Sequence, residues 1–340
     1  DDSERKIMYN FIEKKLGKDF AKEKLEEFRK LINTSTSFVA MSMPGVGASY
    51  FLKYLACQDL PAGRQGFAYF IHVDLYSLPS LTLHEFYKLL LEETLLTSKE
   101  SKPTFEVLHT SDEEMFLESK KKLIELAQKN TKIVIIFSRF DQLKKEFDAN
   151  FLSNLQSLTT AVPGKIVLIF TSIKPLSEIS PDAVTGGNLT FYSRYLYFKP
   201  YSESDLKKLL KIDPEPTPAS SSLNELIKLS GGHYQLLKIL LNSQKEQLIL
   251  DQFVKLQMKG LIDYLDYQQR KQVQKVALGK KVEDIDDYLI GVGIIKNNEL
   301  FTPLLAEYVR QNLSVKLPPK EAKLFRLLRN SMGKIVDKEE

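Results

Sequence analysis

Five short apolar runs, each set apart from the next by a longer stretch of helical period, decide what this chain can build. They lie at 38–41, 67–75, 133–137, 166–170 and 195–198; the clearest read Ile133-Val134-Ile135-Ile136-Phe137 and Ile166-Val167-Leu168-Ile169-Phe170. A strand apolar on both faces has to be covered on both, and parallel neighbours need helical crossovers between them. Helical patterns near 49–57, 81–97, 112–129 and 148–158 supply that cover. The reading is α/β, a doubly wound parallel sheet of five strands over roughly residues 30–200. Ahead of it, Ile7, Phe11, Ile12, Leu16, Phe20, Leu25 and Phe28 fall at helical spacing in a charged segment, with Gly17 as a break.

Beyond Pro200 the strand pattern stops. Residues 203–211, 223–229 and 235–241 read as helices, with a Pro- and Ser-rich loop from Asp213 to Ser222 and a second break at Gly231-Gly232. From about 248 to 313 the order is three helices, a hairpin turning at Asn297-Asn298, and a closing helix that Thr302 caps and Pro303 starts. That order is a winged-helix arrangement. Its second or third helix would face DNA, yet the candidate over Val282-Glu283-Asp284-Ile285-Asp286-Asp287-Tyr288-Leu289 carries four acids and no base. Phosphates would repel it, so the unit reads as a packing or regulatory module. The domains expected are 1–200, 201–247 (a helical lid), 248–313 and 314–340.

The first apolar run leads into Ser42-Met43-Pro44-Gly45-Val46-Gly47-Ala48-Ser49 and then a helix. A phosphate loop, G-x-x-x-x-G-K-[ST], works because glycines let backbone amides close around phosphates while the lysine and hydroxyl serve the β/γ-phosphates and Mg²⁺. Gly47 and Ser49 fit that frame; Ser42 replaces its first glycine and Ala48 its lysine. The third run ends Ser138-Arg139-Phe140-Asp141, where such a strand needs an acidic pair for the metal and the attacking water. Losing both lysine and acids argues against hydrolysis, since that catalysis is almost wholly electrostatic positioning. Backbone amides alone still allow a nucleotide contact through Pro44, Gly45, Val46, Gly47, Ala48, Ser49 and Tyr50, with Arg139 or Arg194 as a substitute cation. A tight turn kept only for packing is the competing reading. His72 beside Asp74 reads as a satisfied core histidine.

These motifs, taken in order, resemble the signal-transduction (STAND) branch of AAA+-like P-loop ATPases. Thr171-Ser172 stands where such proteins carry a polar sensor, and Phe198-Lys199-Pro200-Tyr201-Ser202-Glu203 resembles the entry to their helical lid. Ser230-Gly231-Gly232-His233-Tyr234 resembles the lid's Gly-Gly-His-Pro motif, with Tyr234 in place of the proline that meets the adenine side. The resemblance implies a P-loop NTPase-like sheet, an all-α lid and a winged helix, with ATP or ADP as the cofactor and no need for Mg²⁺.

The tail is basic. Residues 314–340 hold seven basic and four acidic groups, which leaves 41 basic against 40 acidic over the rest and no phosphate-binding body there. Leu317-Pro318-Pro319-Lys320-Glu321, an apolar helix and Gly333-Lys334-Ile335-Val336-Asp337-Lys338-Glu339 resemble the start of the DNA-binding domain of OmpR-type response regulators. That resemblance implies double-stranded DNA as partner, met by Lys316, Lys320, Lys323 and Arg326 and by a reading helix beyond residue 340. A terminal amphipathic helix docked through Leu324, Leu327 and Leu328 is the alternative. Asp1 in place of methionine suggests a trimmed chain. A single cysteine, Cys57, and no metal-ligand spacing fit a non-metallic cytoplasmic protein, and no apolar run reaches a membrane span.

The sequence therefore leads to a non-hydrolysing regulatory module of a bacterial or archaeal transcriptional regulator, which couples nucleotide or ligand state to a C-terminal DNA-binding domain. Two alternatives stay open: an active or partner-completed ATPase, and an interaction scaffold, self-associating or bound to another protein, that takes neither nucleotide nor DNA.

Overall fold

The computed structural model describes residues 11–57, 68–98, 111–128, 132–213, 220–243 and 248–312. A helical segment at 11–16 and α1 (Lys22–Asn33) lead into β1 (Phe38–Ser42), then α2 (Ala48–Cys57), β2 (Ala68–Asp74), α3 (Leu83–Ser98), α4 (Asp112–Gln128) and β3 (Lys132–Ser138). There follow α5 (Ala149–Ala161), β4 (Ile166–Ser172), the short α6 (Leu176–Ile179) and α7 (Gly186–Tyr192), and β5 (Tyr195–Phe198). All four pairings are parallel, and the order across the sheet is β2-β3-β4-β1-β5. This is the five-stranded α/β sheet expected from the apolar runs, with strand ends moved by one or two residues.

The order has a chemical consequence. Strand β4 lies between β1 and β3, so the loop leaving β1 and Ser138 at the end of β3 are two strand spacings apart, about 10 Å. Thr171 and Ser172 stand in the gap, level with Ala40 and Met41. β1 is buried at all five positions and β3 at six of seven. Beneath the outer helices Phe86, Phe137, Phe140, Phe151 and Phe170 interlock, with Phe137 stacked on Phe170 at 5.2 Å and Phe140 against Phe170 at 4.7 Å. Such ring pairs add to burial through their edge and face charges. α1 closes the other side with Leu25, Phe28 and Ile32, one apolar stripe at helical spacing.

The rest of the described chain is helical: α8 (Glu203–Leu209), α9 (Ser220–Leu229), α10 (Tyr234–Asn242), α11 (Gln252–Asp263), α12 (Tyr267–Ala277), α13 (Asp287–Gly291) and α14 (Pro303–Asn312), with the hairpin β6 (Ile295–Lys296) and β7 (Glu299–Leu300) before α14. Asn297 and Asn298 turn that hairpin at φ 54° and 59°, the left-handed pair a two-residue turn requires. Two expectations need correction. The helix read over 282–289 begins only at Asp287, because the Asp286 carboxylate accepts the amides of Tyr288 (2.9 Å) and Leu289 and so caps the helix there. Upstream, Asn298 Oδ1 accepts the Val282 amide and Gln272 Oε1 the Asp286 amide, which ties 282–286 down as a bent, non-helical loop. Likewise α9 starts at Ser220, inside the stretch read as a loop. The 60–66 loop and the whole 314–340 tail, including Lys316, Lys320, Lys323 and Arg326, lie outside the described residues.

The Asp286 cap gives a direct check. Asp286→Ala is expected to destabilise the fold by about 1 kcal/mol, the usual worth of an N-cap carboxylate, read as a lower urea midpoint. An unchanged midpoint would mean that the cap does not decide where α13 starts.

Candidate functional site

The loop from Ser42 to Ser49 turns through Gly45 (φ 76°) and Gly47 (φ 97°) into α2, as a phosphate loop does. Its outer face is covered. His233, fully buried at the start of α10, donates from Nε2 to the Pro44 carbonyl at 2.8 Å and accepts the Leu236 amide at Nδ1. Burial outweighs these bonds and pushes its pKa down to about 4, so the imidazole stays neutral. Two residues on, the Gln235 amide N–H bonds the Gly45 carbonyl at 3.1 Å, and the Gln235 side chain lies so close that a methyl on Gly45 would sit 2.2 Å from Oε1.

Tyr201 closes the next position. It is 4% exposed; its hydroxyl donates to the Gly47 carbonyl at 2.8 Å. Its ring stacks on Phe20 at 5.6 Å, while a methyl on Gly47 would meet Tyr234 Cβ at 2.9 Å. Tyr50 packs edge-on against Tyr234, and its hydroxyl donates to Asp213. Asp213 also binds Lys238 Nζ at 2.6 Å, chiefly through which its carboxyl is held below the usual range. The lysine of α10 on this side is thus neutralised beside the loop.

The metal side is equally altered. Ser138 is buried and its hydroxyl meets His72 Nε2 at 2.6 Å, so His72 is bonded as expected, but it is half-buried on β2 and not in the core. Arg139 sits in the left-handed region, gives its amide to Thr171 Oγ1 at 2.7 Å and lays its guanidinium over the exposed Tyr76 ring at 4.4 Å. Asp141 is buried, and burial raises its pKa against a hydrogen bond from Gln142. Among the described residues no group of three or more His, Cys, Asp or Glu side chains is placed to hold a metal ion.

The structure thus gathers Pro44, Gly45, Val46, Gly47, Ala48, Ser49 and Tyr50 at one place but leaves Arg194 out. Arg194 precedes β5, gives its carbonyl to Val39 at the other end of β1, and stands about 13 Å along the strands from the level of Ser42. The loop carries no cation, and a methyl added at Gly45 or Gly47 would meet Gln235 or Tyr234. Tyr201 and Gln235 were absent from the sequence reading of the site. The quoted lid-entry motif contained Tyr201, but nothing in the sequence distinguishes Gln235 from any solvated helix residue.

Sheet order, the loop after β1 and the flanking helices together define an α/β fold of P-loop NTPase type. Among solved structures the chain is similar to the Walker-type ATPase PABY2304 of Pyrococcus abyssi, at 16% identity over 87% of this chain and 96% of that one, with a TM-score of 0.54. It is also similar to the ORC2 protein of Aeropyrum pernix in its ADP form (12% identity, 94% of this chain, 89% of that, TM-score 0.48) and to CDC6P from Pyrobaculum aerophilum (10%, 94%, 89%, 0.46). No protein-family model and no curated protein matches the sequence. No helix among the described residues is long and apolar enough to cross a membrane.

Proposed function

We propose that this chain is a non-hydrolysing regulatory module on an ATPase fold, of the STAND kind, serving a cytoplasmic transcriptional regulator. In this reading a helical lid (201–247) and a winged helix (248–313) are held closed on the phosphate loop, and the basic tail from Lys316 leads to the DNA-binding part. One observation carries it: His233, Gln235 and Tyr201 bond the carbonyls of Pro44, Gly45 and Gly47 and so fasten the lid to the loop. Ala48 and the Ser138-Arg139 pair support it from the other side, since neither can hold Mg²⁺ or offset transition-state charge.

The test is phosphate release together with titration calorimetry, using ATP and ADP with and without Mg²⁺. The expected result is release no faster than the protein-free blank and no binding heat below millimolar nucleotide. Magnesium-dependent phosphate release by the purified chain would overturn the reading in favour of a working ATPase.

A further inference from the structure

The C-terminal unit reaches the loop region by two routes. The His233 ring that bonds Pro44 is stacked on Phe301, at 5.9 Å and 28°, just where the hairpin ends. Tyr288 of α13 donates its hydroxyl to the Ile173 carbonyl, just past the end of β4. Glycines make the first route tight. A methyl on Gly231 would lie 2.1 Å from the Phe301 carbonyl, and one on Gly232 2.3 Å from that of Tyr201. Thr302 adds a hydroxyl bond to the Leu229 carbonyl at 2.5 Å.

His233 has no freedom to move alone. Both ring nitrogens are used, the ring is fully buried, and turning it would strand the Pro44 carbonyl or the Leu236 amide. The start of α10 and the hairpin end therefore travel as one body, the kind of rigid element through which a small local displacement becomes a larger one. We infer that His233 couples the phosphate loop to the docking of the C-terminal unit, so that whatever lifts the start of α10 off the loop also loosens residues 294–301. This regulation rests on the closed-lid reading of the site.

A loop substitution tests it without any ligand. In Gly47→Ala the new methyl presses on Tyr234 Cβ, an atom next to the lid backbone; Gly164→Ala imposes similar backbone strain at φ 74° but meets nothing nearer than 4.0 Å. Hydrogen exchange on the whole chain is expected to speed up at 294–301 in Gly47→Ala, on the order of tenfold, a usual size for coupling between sites. Gly164→Ala should leave that segment unchanged, and adding Phe301→Ala should abolish the response to Gly47→Ala. If 234–237 open while 294–301 stay protected, or if both glycine variants loosen the hairpin alike, the coupling is refuted.

Should Gly47→Ala not fold, the reverse experiment applies, because coupling is reciprocal. Phe301→Leu must then speed exchange at the loop amides 45–49, and unchanged loop protection overturns the inference. The readouts involve no nucleotide. Phosphate release would sink the functional reading and leave the coupling standing, and the exchange results cut the other way.

Discussion

Tyr201→Ala is expected to cost the fold about 3–5 kcal/mol, the range for deleting a fully buried aromatic ring. The loss has two parts. The ring fills the space between Phe20, Phe198 and Gly47, and its hydroxyl serves the Gly47 carbonyl. Tyr201→Phe separates them: it keeps the ring, removes one hydroxyl bond from a Gly47 carbonyl that still accepts the Tyr50 amide, and should cost about 1 kcal/mol. Denaturant midpoints of the two variants against the wild type decide it. A loss below about 1 kcal/mol for the alanine variant would mean that the loop holds its shape without Tyr201.

The second large effect is acid lability from His233. Its pKa falls from an ordinary 6.5 to about 4 in the fold, so between these values the unfolded chain binds a proton that the native chain refuses. Stability from this group is complete above about pH 6.5 and drains away as pH falls toward 4. At about 1.4 kcal/mol per pH unit the loss approaches 3 kcal/mol. His233→Asn, which cannot titrate but can still accept the Leu236 amide, removes the dependence. The gap in stability between wild type and variant should be widest near pH 7 and close by roughly 3 kcal/mol on acidification to pH 4. Parallel curves would show that the imidazole is not held neutral. Other groups, among them Asp141 with its raised pKa, titrate in both proteins and cancel in the comparison.

What the sequence displayed well was whatever burial dictates locally. A strand buried on both faces, such as β1 or β3, can be written only with apolar residues, and the Asn297-Asn298 turn can be written with few others. The altered loop was equally plain, because a missing lysine is visible wherever the loop lies. The closed lid was not. His233 and Pro44 are 189 residues apart and Tyr201 and Gly47 154, and no pattern along the chain reports a contact at that separation. The start of α13 is hidden for a similar reason: Gln272 and Asn298, distant in sequence, hold residues 282–286 in a bent loop. Arg194 is misplaced because a residue that precedes β5 lies at the end of the parallel strands opposite the loop that leaves β1.

The position of β1 has a consequence for how the molecule is made. Both neighbours of this early strand, β4 and β5, are among the last strands to be synthesised, so Val39 waits for Phe170 on one side and Tyr195 on the other. During translation the first strand leaves the ribosome with all five side chains in need of cover, and its partners arrive well over a hundred residues later. At about 5–20 residues per second that interval lasts from several seconds to half a minute. Over that time an apolar strand with unpaired edges is open to wrong partners, as is usual for sheets built from distant pairings. Nascent chains halted short of residue 195 should therefore lean on chaperones more than those that have passed it.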